Sequence, residues 1–419
     1  MESSTLMMTT QFRKDLQYFR FSLYGFLKNQ KFYEPFFLLF LLNKDISYLQ
    51  VGILYSIREI AINLLEIPAG VIADSAGRRR TMLISFIFYI LSFILFYIAS
   101  SYSALIVAMI VFGIGDVFRT GTHKAMIYDY LEANGWSGDR VAYYGHTRAW
   151  SQRGSAVSSL IAAAIVIITN SYNLVFLFAV VPYILNFINL LTYPAWLDGE
   201  QKSFTFRNFN NTFIKVIQSL ARSFKKGYII RLFTNSALVS GFYESAKDYL
   251  QPLVVAFAVA IPVLPSINNT DRSSVMVGIV YFVIFLITSR ASQLSGSFAK
   301  ASGSEARGMN LSFFIFAAAG VTSGLLFHLG FESLSILFFV LIFVIENLRR
   351  PVCVAKIAGE TDSSALSTYL SVDSQLKSIF TMVLSPLLGL VADMVTPGAS
   401  IAIFSIVLMI IFPFIRILK

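Results

Sequence analysis

Hydrophobic residues run through this chain in blocks too long for a soluble fold. Windows without a single charge recur at 81–115, 154–197, 308–331 and 394–415. Each is long enough to cross a hydrocarbon core of about 30 Å as an α-helix. The second holds one helix and most of another, divided at Thr169-Asn170-Ser171-Tyr172. Between these windows lie apolar stretches broken by isolated charges. The pattern predicts twelve transmembrane helices, at 18–42, 47–73, 81–100, 103–131, 141–168, 172–195, 228–259, 273–299, 306–329, 332–357, 363–392 and 398–417. The fold class expected is an all-α membrane protein. Several spans exceed twenty residues and carry charges, which suits helices that tilt or line a polar cavity.

Composition agrees, with 56% of the 419 residues hydrophobic, 13% charged and 40 of them Phe, which excludes an ordinary soluble domain. A net charge of +10 would point to nucleic acid in a soluble protein; here its placement gives a better account, and no nucleic acid partner is expected. With the N-terminus inside, Arg13, Lys14, Arg78, Arg79, Arg80, Arg140, Lys300, Arg307, Lys419 and the basic residues of 198–227 are cytoplasmic. The opposite loops hold only Lys44 and Arg272. Both termini are therefore expected in the cytoplasm, and the protein in a bacterial inner membrane. Residues 1–17 lack the features of a removed leader. The polar stretch 198–227 reads as a linker between halves 1–197 and 228–419. Its scattered Phe204, Phe206, Phe209, Phe213 and Phe224 suit an amphipathic segment on the inner membrane surface. The single cysteine, Cys353, lies in an apolar run and excludes a disulfide framework or a cysteine-based metal site. No metal or cofactor is expected.

One short segment stands out between spans 2 and 3: Gly70-Val71-Ile72-Ala73-Asp74-Ser75-Ala76-Gly77-Arg78-Arg79-Arg80. The arginines hold such a loop in the cytoplasm. Gly70 lets a neighbouring helix approach, Gly77 permits a tight reversal, and Asp74 can cap or pair where the next helix begins. The spacing G-x-x-x-D-x-x-G-R-R-R resembles the signature loop between helices 2 and 3 of the major facilitator superfamily. That resemblance implies two pseudo-symmetric six-helix bundles around a central cavity that opens to either side in turn. It implies helices 1, 4, 7 and 10 as the cavity lining, with 2, 5, 8 and 11 at its flanks. It also makes Asp129, near the end of span 4, an acidic partner for Arg78 or a neighbour in a conformational switch.

The two halves carry a repeat. Gly52, Tyr55, Gly70 and Gly77 recur as Gly278, Tyr281, Gly296 and Gly303, each 226 positions on. Phe32-Tyr33-Glu34 in span 1 matches Phe242-Tyr243-Glu244 in span 7. Asp116 stands three residues before Arg119, as Glu346 does before Arg349, and Ser151-Gln152 matches Ser374-Gln375. The second copy of the loop is degenerate, with Lys300 where the first has Asp74.

Intramembrane charges fall on spans 1, 2, 4, 5, 7, 8, 10 and 11 and spare 3, 6, 9 and 12, which can face lipid. A charge at the bilayer centre costs about 2.5–3.5 kcal/mol even on lenient scales, so such residues are candidates for function. Substrate-binding candidates are Lys28, Lys31, Tyr33, Arg58, Asp116, Arg119, Arg153, Tyr243, Lys247, Glu346, Arg349 and Lys377. The pairs Asp116–Arg119 and Glu346–Arg349 can equally neutralise each other along one helical face. Glu34 and Glu244, mid-span and repeat-related, are candidates for proton coupling. Glu34 is preferred because Pro35 follows it and loosens the helix.

Nothing resembles an ATPase motif, a nucleophile elbow or a metal cluster, so the expected activity is secondary active transport driven by an ion gradient, most simply protons. Arginine forks suit carboxylate or phosphate, which favours an anionic or zwitterionic organic solute. The alternatives are a drug or metabolite–proton antiporter and a membrane sensor that keeps the fold without transport. The partners expected are a small-molecule substrate, the coupling proton and the lipid bilayer, around a monomer.

Overall fold

The computed structural model describes residues 13–199, 227–260, 268–360 and 366–418. Among them are fifteen α-helices and no strand. The first half contains α1 (Leu16–Lys28), α2 (Phe37–Leu42), α3 (Tyr48–Ala76), α4 (Arg78–Ile98), α5 (Tyr102–Arg119), α6 (Thr122–Ala133), α7 (Arg140–Thr169) and α8 (Leu174–Leu191). The second contains α9 (Gly227–Ala246), α10 (Leu250–Ala260), α11 (Asn269–Ala301), α12 (Glu305–His328), α13 (Glu332–Gly359), α14 (Leu366–Met394) and α15 (Pro397–Ile415). Short 3-10 turns at Glu34–Phe36 and Lys247–Tyr249 precede α2 and α10, and Gly121, at φ +77°, separates α5 from α6. Eight helical stretches are long and apolar enough to cross a membrane. The other segments are those that are broken or carry charge.

Local sequence sets the helix ends. Ser47 opens α3 with a reciprocal capping box, its hydroxyl accepting from Gln50 N while the Gln50 side chain accepts from Ser47 N. Ser101, Asn268, Ser304 and Thr396 cap α5, α11, α12 and α15 in the same way. The presumed loop 70–80 is shorter than its sequence implies. Pro68 does not stop α3, which continues to Ala76, and Gly77 alone, at φ +94°, turns the chain into α4. Asp198, placed by the sequence at the head of the linker, is buried at the end of a 3-10 turn packed against α4. The amphipathic segment expected at 204–224 lies outside the described residues.

Ile87, Leu91, Ile94 and Ile98 form an exposed stripe on α4, and Val181, Ile184, Ile188 and Leu191 another on α8. α12 and α15 expose Leu311, Phe314, Ile403, Ile406, Ile410 and Phe414. Apolar stripes of that extent, on helices whose charges lie only at their ends, belong against lipid.

Glycines decide where helices cross. A Cβ at Gly154 of α7 would lie 2.5 Å from Phe26 O of α1, and one at Gly241 of α9 would lie 3.0 Å from Lys377 O of α14. These are corresponding contacts in the two halves, with small residues letting backbones touch. The halves meet along two seams. At one, a Cβ on Gly52 of α3 would fall 2.3 Å from Ser385 O of α14; at the other, one on Gly278 of α11 would fall 2.5 Å from the Ala163 Cβ of α7. Gly52 and Gly278 are repeat mates, and both close contacts lie at the end away from Arg78–Arg80. At the basic end, Gly70, Gly145 and Gly296 have nothing within 4 Å of a built Cβ. Gly70 therefore does not bring a neighbouring helix close. The halves are closed together at one end, while toward the basic end α3 and α14 stay joined through Glu66, which accepts from Ser371 and Gln375.

Candidate transport site

The breaks in α1–α2 and α9–α10 leave backbone groups without helical partners, which a membrane interior does not tolerate. Gln251 resolves this across the two halves. Its Oε1 accepts from Leu38 N (2.9 Å) and Leu39 N (3.3 Å), and its Nε2 donates to Glu34 O (3.0 Å) and to Tyr281 OH (3.4 Å). Tyr55, the repeat mate of Tyr281, donates its OH to Asp248 Oδ2 at 2.6 Å. Each tyrosine of the repeat thus reaches the same turn in the second half.

Beside this clasp lies a cavity of about 320 Å³, lined by Lys28, Lys31, Glu34, Arg58, Glu59, Glu66, Asp116, Arg119, Glu244, Lys247, Asp248 and Lys377. Six cations therefore face six carboxylates, and Tyr33, Tyr55, Tyr89, Phe112, Phe176 and Tyr183 give the cavity an aromatic wall. A second chamber of about 160 Å³ shares Lys31, Glu34, Lys247 and Asp248 with it and adds Tyr243, Tyr281 and Phe343.

Most charges are already paired. Glu244 accepts from Lys247 at 2.7 Å and from Lys377 at 2.9 Å, so one carboxylate on α9 holds its own helix and α14 together. Glu34 has one cation, Lys31 at 3.5 Å. Arg119 reaches Asp116 at 3.4 Å, and both meet the hydroxyl of Tyr89, which donates to Asp116 at 2.5 Å and accepts from Arg119 at 2.9 Å. Arg58 pairs with Glu59 at 2.7 Å, whose other oxygen accepts from Ser378 across the seam. Glu66 accepts from Ser371 and Gln375, both at 3.3 Å. Three groups differ: among the described residues Lys28 has no ion-pair partner, and Asp248 and Glu66 are bonded only by neutral side chains, Asp248 by Tyr55 and Gln251.

Three candidates lie elsewhere. Arg153 is exposed and lies over the Trp150 ring, 4.8 Å from its centroid. Arg349 does not meet Glu346. Its guanidinium is 1% exposed and donates to Asn235 O (2.6 Å), Asn235 Oδ1 (2.5 Å), Met309 O (2.5 Å) and Ser312 Oγ (3.1 Å), tying α9, α12 and α13 together behind the cavity wall. Glu346, 7% exposed, accepts from Ser240 Oγ at 2.5 Å, and its other oxygen has no partner among the described residues. Two carbonyls, an amide and a hydroxyl satisfy the two terminal nitrogens of Arg349, while its Nε has no partner among the described residues.

At the basic end, Arg78 and Asp129 form an ion pair between α4 and α6. Gly77 lies against Asp198, where a Cβ would come within 2.7 Å of its Oδ1. Asp198 takes the capping position at the start of α4: it accepts from Arg80 N at 3.2 Å and lies 3.6 Å from Arg79 Nε. Its position at the head of a polar stretch had suggested linker, and nothing in the local pattern marks it as a cap for a helix far upstream. Gln251 and Tyr89 are likewise not marked by the sequence, because neutral polar residues on an apolar span give no charge signal.

A helical membrane fold of two repeated halves around a charged central cavity is the architecture of a membrane transporter. The family model of the Major Facilitator Superfamily matches residues 29–343. The chain belongs to that superfamily, and it is a transporter rather than an enzyme. It is 25% identical over 229 residues to the uncharacterized MFS-type transporter YxaM of Bacillus subtilis (strain 168), a match spanning 53% of this chain and 54% of that protein. The match thus covers about half of each. A mutant of the nucleoside transporter NupG superposes with a TM-score of 0.77 at 14% identity, covering 96% of this chain and 99% of the other. A POT family transporter in complex with a thioalcohol-conjugated peptide gives 0.72 at 14% identity, covering 96% and 97%. Likenesses at such identity establish the shared fold.

Proposed function

We propose that the protein carries a small zwitterionic or anionic organic solute by alternating access, coupled to protons. One observation carries this reading: among the described residues Lys28 has no ion-pair partner, and Asp248, beside the broken helices at the centre of the cavity, has only neutral ones. A carboxylate of the solute satisfies Lys28, with Lys377 and Lys247 in reserve because both lean on Glu244. An amino group satisfies Asp248. Buried charges brought in as a pair with opposed partners are far less costly than either alone. The aromatic wall accepts the apolar body of the solute.

With the basic loops in the cytoplasm, the sealed end is the periplasmic one and the structure is inward-facing. Arg78–Asp129 and the Asp198 cap then lie on the cytoplasmic side, where they hold α4, α6 and the end of the first half as one body during the swing. Proton coupling falls to Glu34, whose one cation lies at 3.5 Å beside a broken helix, in preference to Glu244 with two cations under 3 Å.

The test is a solute screen by thermal stabilisation in detergent, since a ligand of the folded state raises apparent stability. It is followed by uptake into proteoliposomes for every hit. Amino acids, small peptides and betaines are expected to stabilise the wild type, and Lys28→Met to lose the carboxylate-bearing hits. A protein stabilised only by organic cations, with Lys28→Met indifferent, would overturn the reading. Binding without flux would identify a sensor.

A further inference from the structure

A separate chamber of about 360 Å³ lies between α1, α6 and α7, lined by Tyr24, Lys28, Arg119, His123, Lys124, Tyr144, Arg148 and Gln152 among others. Four of its lining residues are cations and none is acidic. Only Arg119 is offset by a carboxylate, Asp116 at 3.4 Å. Lys124 lies over the rings of Tyr128 and Tyr144, at 5.4 and 5.5 Å, which leaves its charge uncompensated. Arg148 and Lys28 have no ion-pair partner among the described residues. Lys124 and Arg148 are exposed and solvated, and three cations without a carboxylate partner around one hollow give it a positive field that attracts an anion. The backbone adds to the same field. α6 starts at this chamber, its N-cap is Gly121 at φ +77°, and no side chain caps it, so the positive end of the helix is left for a ligand.

We propose that this chamber is a second binding site, specific for a dianionic oxyanion of the phosphate class, held by Lys28, Lys124, Arg148 and the first turn of α6. It touches the transport cavity through Lys28 and Arg119, which line both. An anion here therefore biases which charge Lys28 presents to the solute. The Arg148 fork takes two oxygens and Lys124 acts as a point charge. The oxyanion comes either as a free ion or as the phosphate group of an organic molecule. The site shares Lys28 with the solute site proposed above, and Lys124 and Arg148, which do not line the central cavity, are the residues that tell the two apart.

The experiment uses the purified full chain and radiolabelled inorganic phosphate, with ionic strength held constant by chloride. Saturable binding is expected, competed by sulfate and not by added chloride. Lys124→Gln and Arg148→Gln together are expected to weaken it by about tenfold or more, whereas Arg148→Lys alone loses less. Arg148 is exposed, so the single Arg148→Gln variant, expected to fold like wild type by its unfolding midpoint, provides a second reading. Absence of saturable binding, or equal affinity in the double variant, would overturn the proposal. Competition by glycerol phosphate at least as strong as by sulfate assigns the organic source, and its failure assigns the free ion. Either result leaves the central-cavity screen independent, since Lys28→Met there is read with carboxylates and without phosphate.

Discussion

Asp393, near the end of α14, caps the helix that begins at Tyr48: its carboxylate accepts from Tyr48 N at 2.9 Å and from Leu49 N at 2.8 Å. A residue of one half thereby closes the helix N-terminus of the other. The contact lies at the sealed end, one turn from the close approach of Gly389 to Tyr48 O, and Tyr48 stacks on Tyr249 beside the broken α9–α10. Two orphan N–H groups and a helix dipole meet one carboxylate there, and that contact exists only while this end is shut.

Removing that cap should therefore move a conformational equilibrium. Asp393→Ala is expected to withdraw about 1 kcal/mol from the structure seen here, by the usual worth of a cap, and to raise the population open at this end roughly fivefold. A cysteine placed at Leu49 and labelled with an impermeant maleimide reports the change. Equal labelling rates with and without Asp393 would show that the cap does not latch the seam.

The repeat glycines divide into two functional pairs. Gly52→Ala and Gly278→Ala put a Cβ within 2.3 and 2.5 Å of the opposite half, so each should obstruct closure of the sealed end and reduce transport sharply. Gly296→Ala enters open space and should transport like wild type, as should Gly70→Ala if the opposite state leaves that site equally open. Fluorescence-detected size exclusion checks folding, and uptake checks function. Normal uptake by Gly52→Ala would remove the seam from the cycle.

Much of this architecture was legible in the sequence. Charge-free windows marked helices that carry exposed apolar stripes, and the repeat paired Gly52 with Gly278 without showing that both lie where the halves meet. The charges of spans 1, 2, 4, 7 and 11 do converge, because a membrane interior leaves them nowhere else to go. What was hidden depends on rotation about a helix axis. Arg349 and Glu346 sit three residues apart, yet the guanidinium finds Asn235 and Met309 while the carboxylate finds Ser240. Spacing places two residues on one side of a helix; it does not say which neighbouring helix competes for them. The break at Gly121 was missed for a similar reason: Thr120-Gly121 interrupts hydropathy too briefly to register.

Arg349 is accordingly expected to matter for stability rather than recognition. Arg349→Lys keeps the charge but cannot reach Asn235, Met309 and Ser312 together. The loss of charged hydrogen bonds should cost on the order of 2–3 kcal/mol. A lower unfolding midpoint with unchanged solute affinity in the folded fraction is the expected result. A drop in affinity at wild-type stability would place Arg349 in the site after all.

Glu34 and Glu244 offer the sharpest contrast, because the repeat makes them equivalent and the structure does not. Glu244 neutralises Lys247 and Lys377 at 2.7 and 2.9 Å, so Glu244→Gln leaves two ammonium groups facing each other across α9 and α14. That variant should lose stability and, with it, every activity. Glu34→Gln releases one lysine held at 3.5 Å and leaves the Gln251 clasp intact, since Gln251 binds the Glu34 carbonyl rather than its carboxylate. It should fold, fix Glu34 in a form that mimics the protonated acid, and abolish pH-driven accumulation. Exchange of solute across the membrane needs no net proton movement and should persist. Both assays are run in the same liposomes for each variant. Full pH-driven accumulation by Glu34→Gln would transfer the coupling role to Asp248, the remaining cavity carboxylate whose hydrogen-bond partners are all neutral and central.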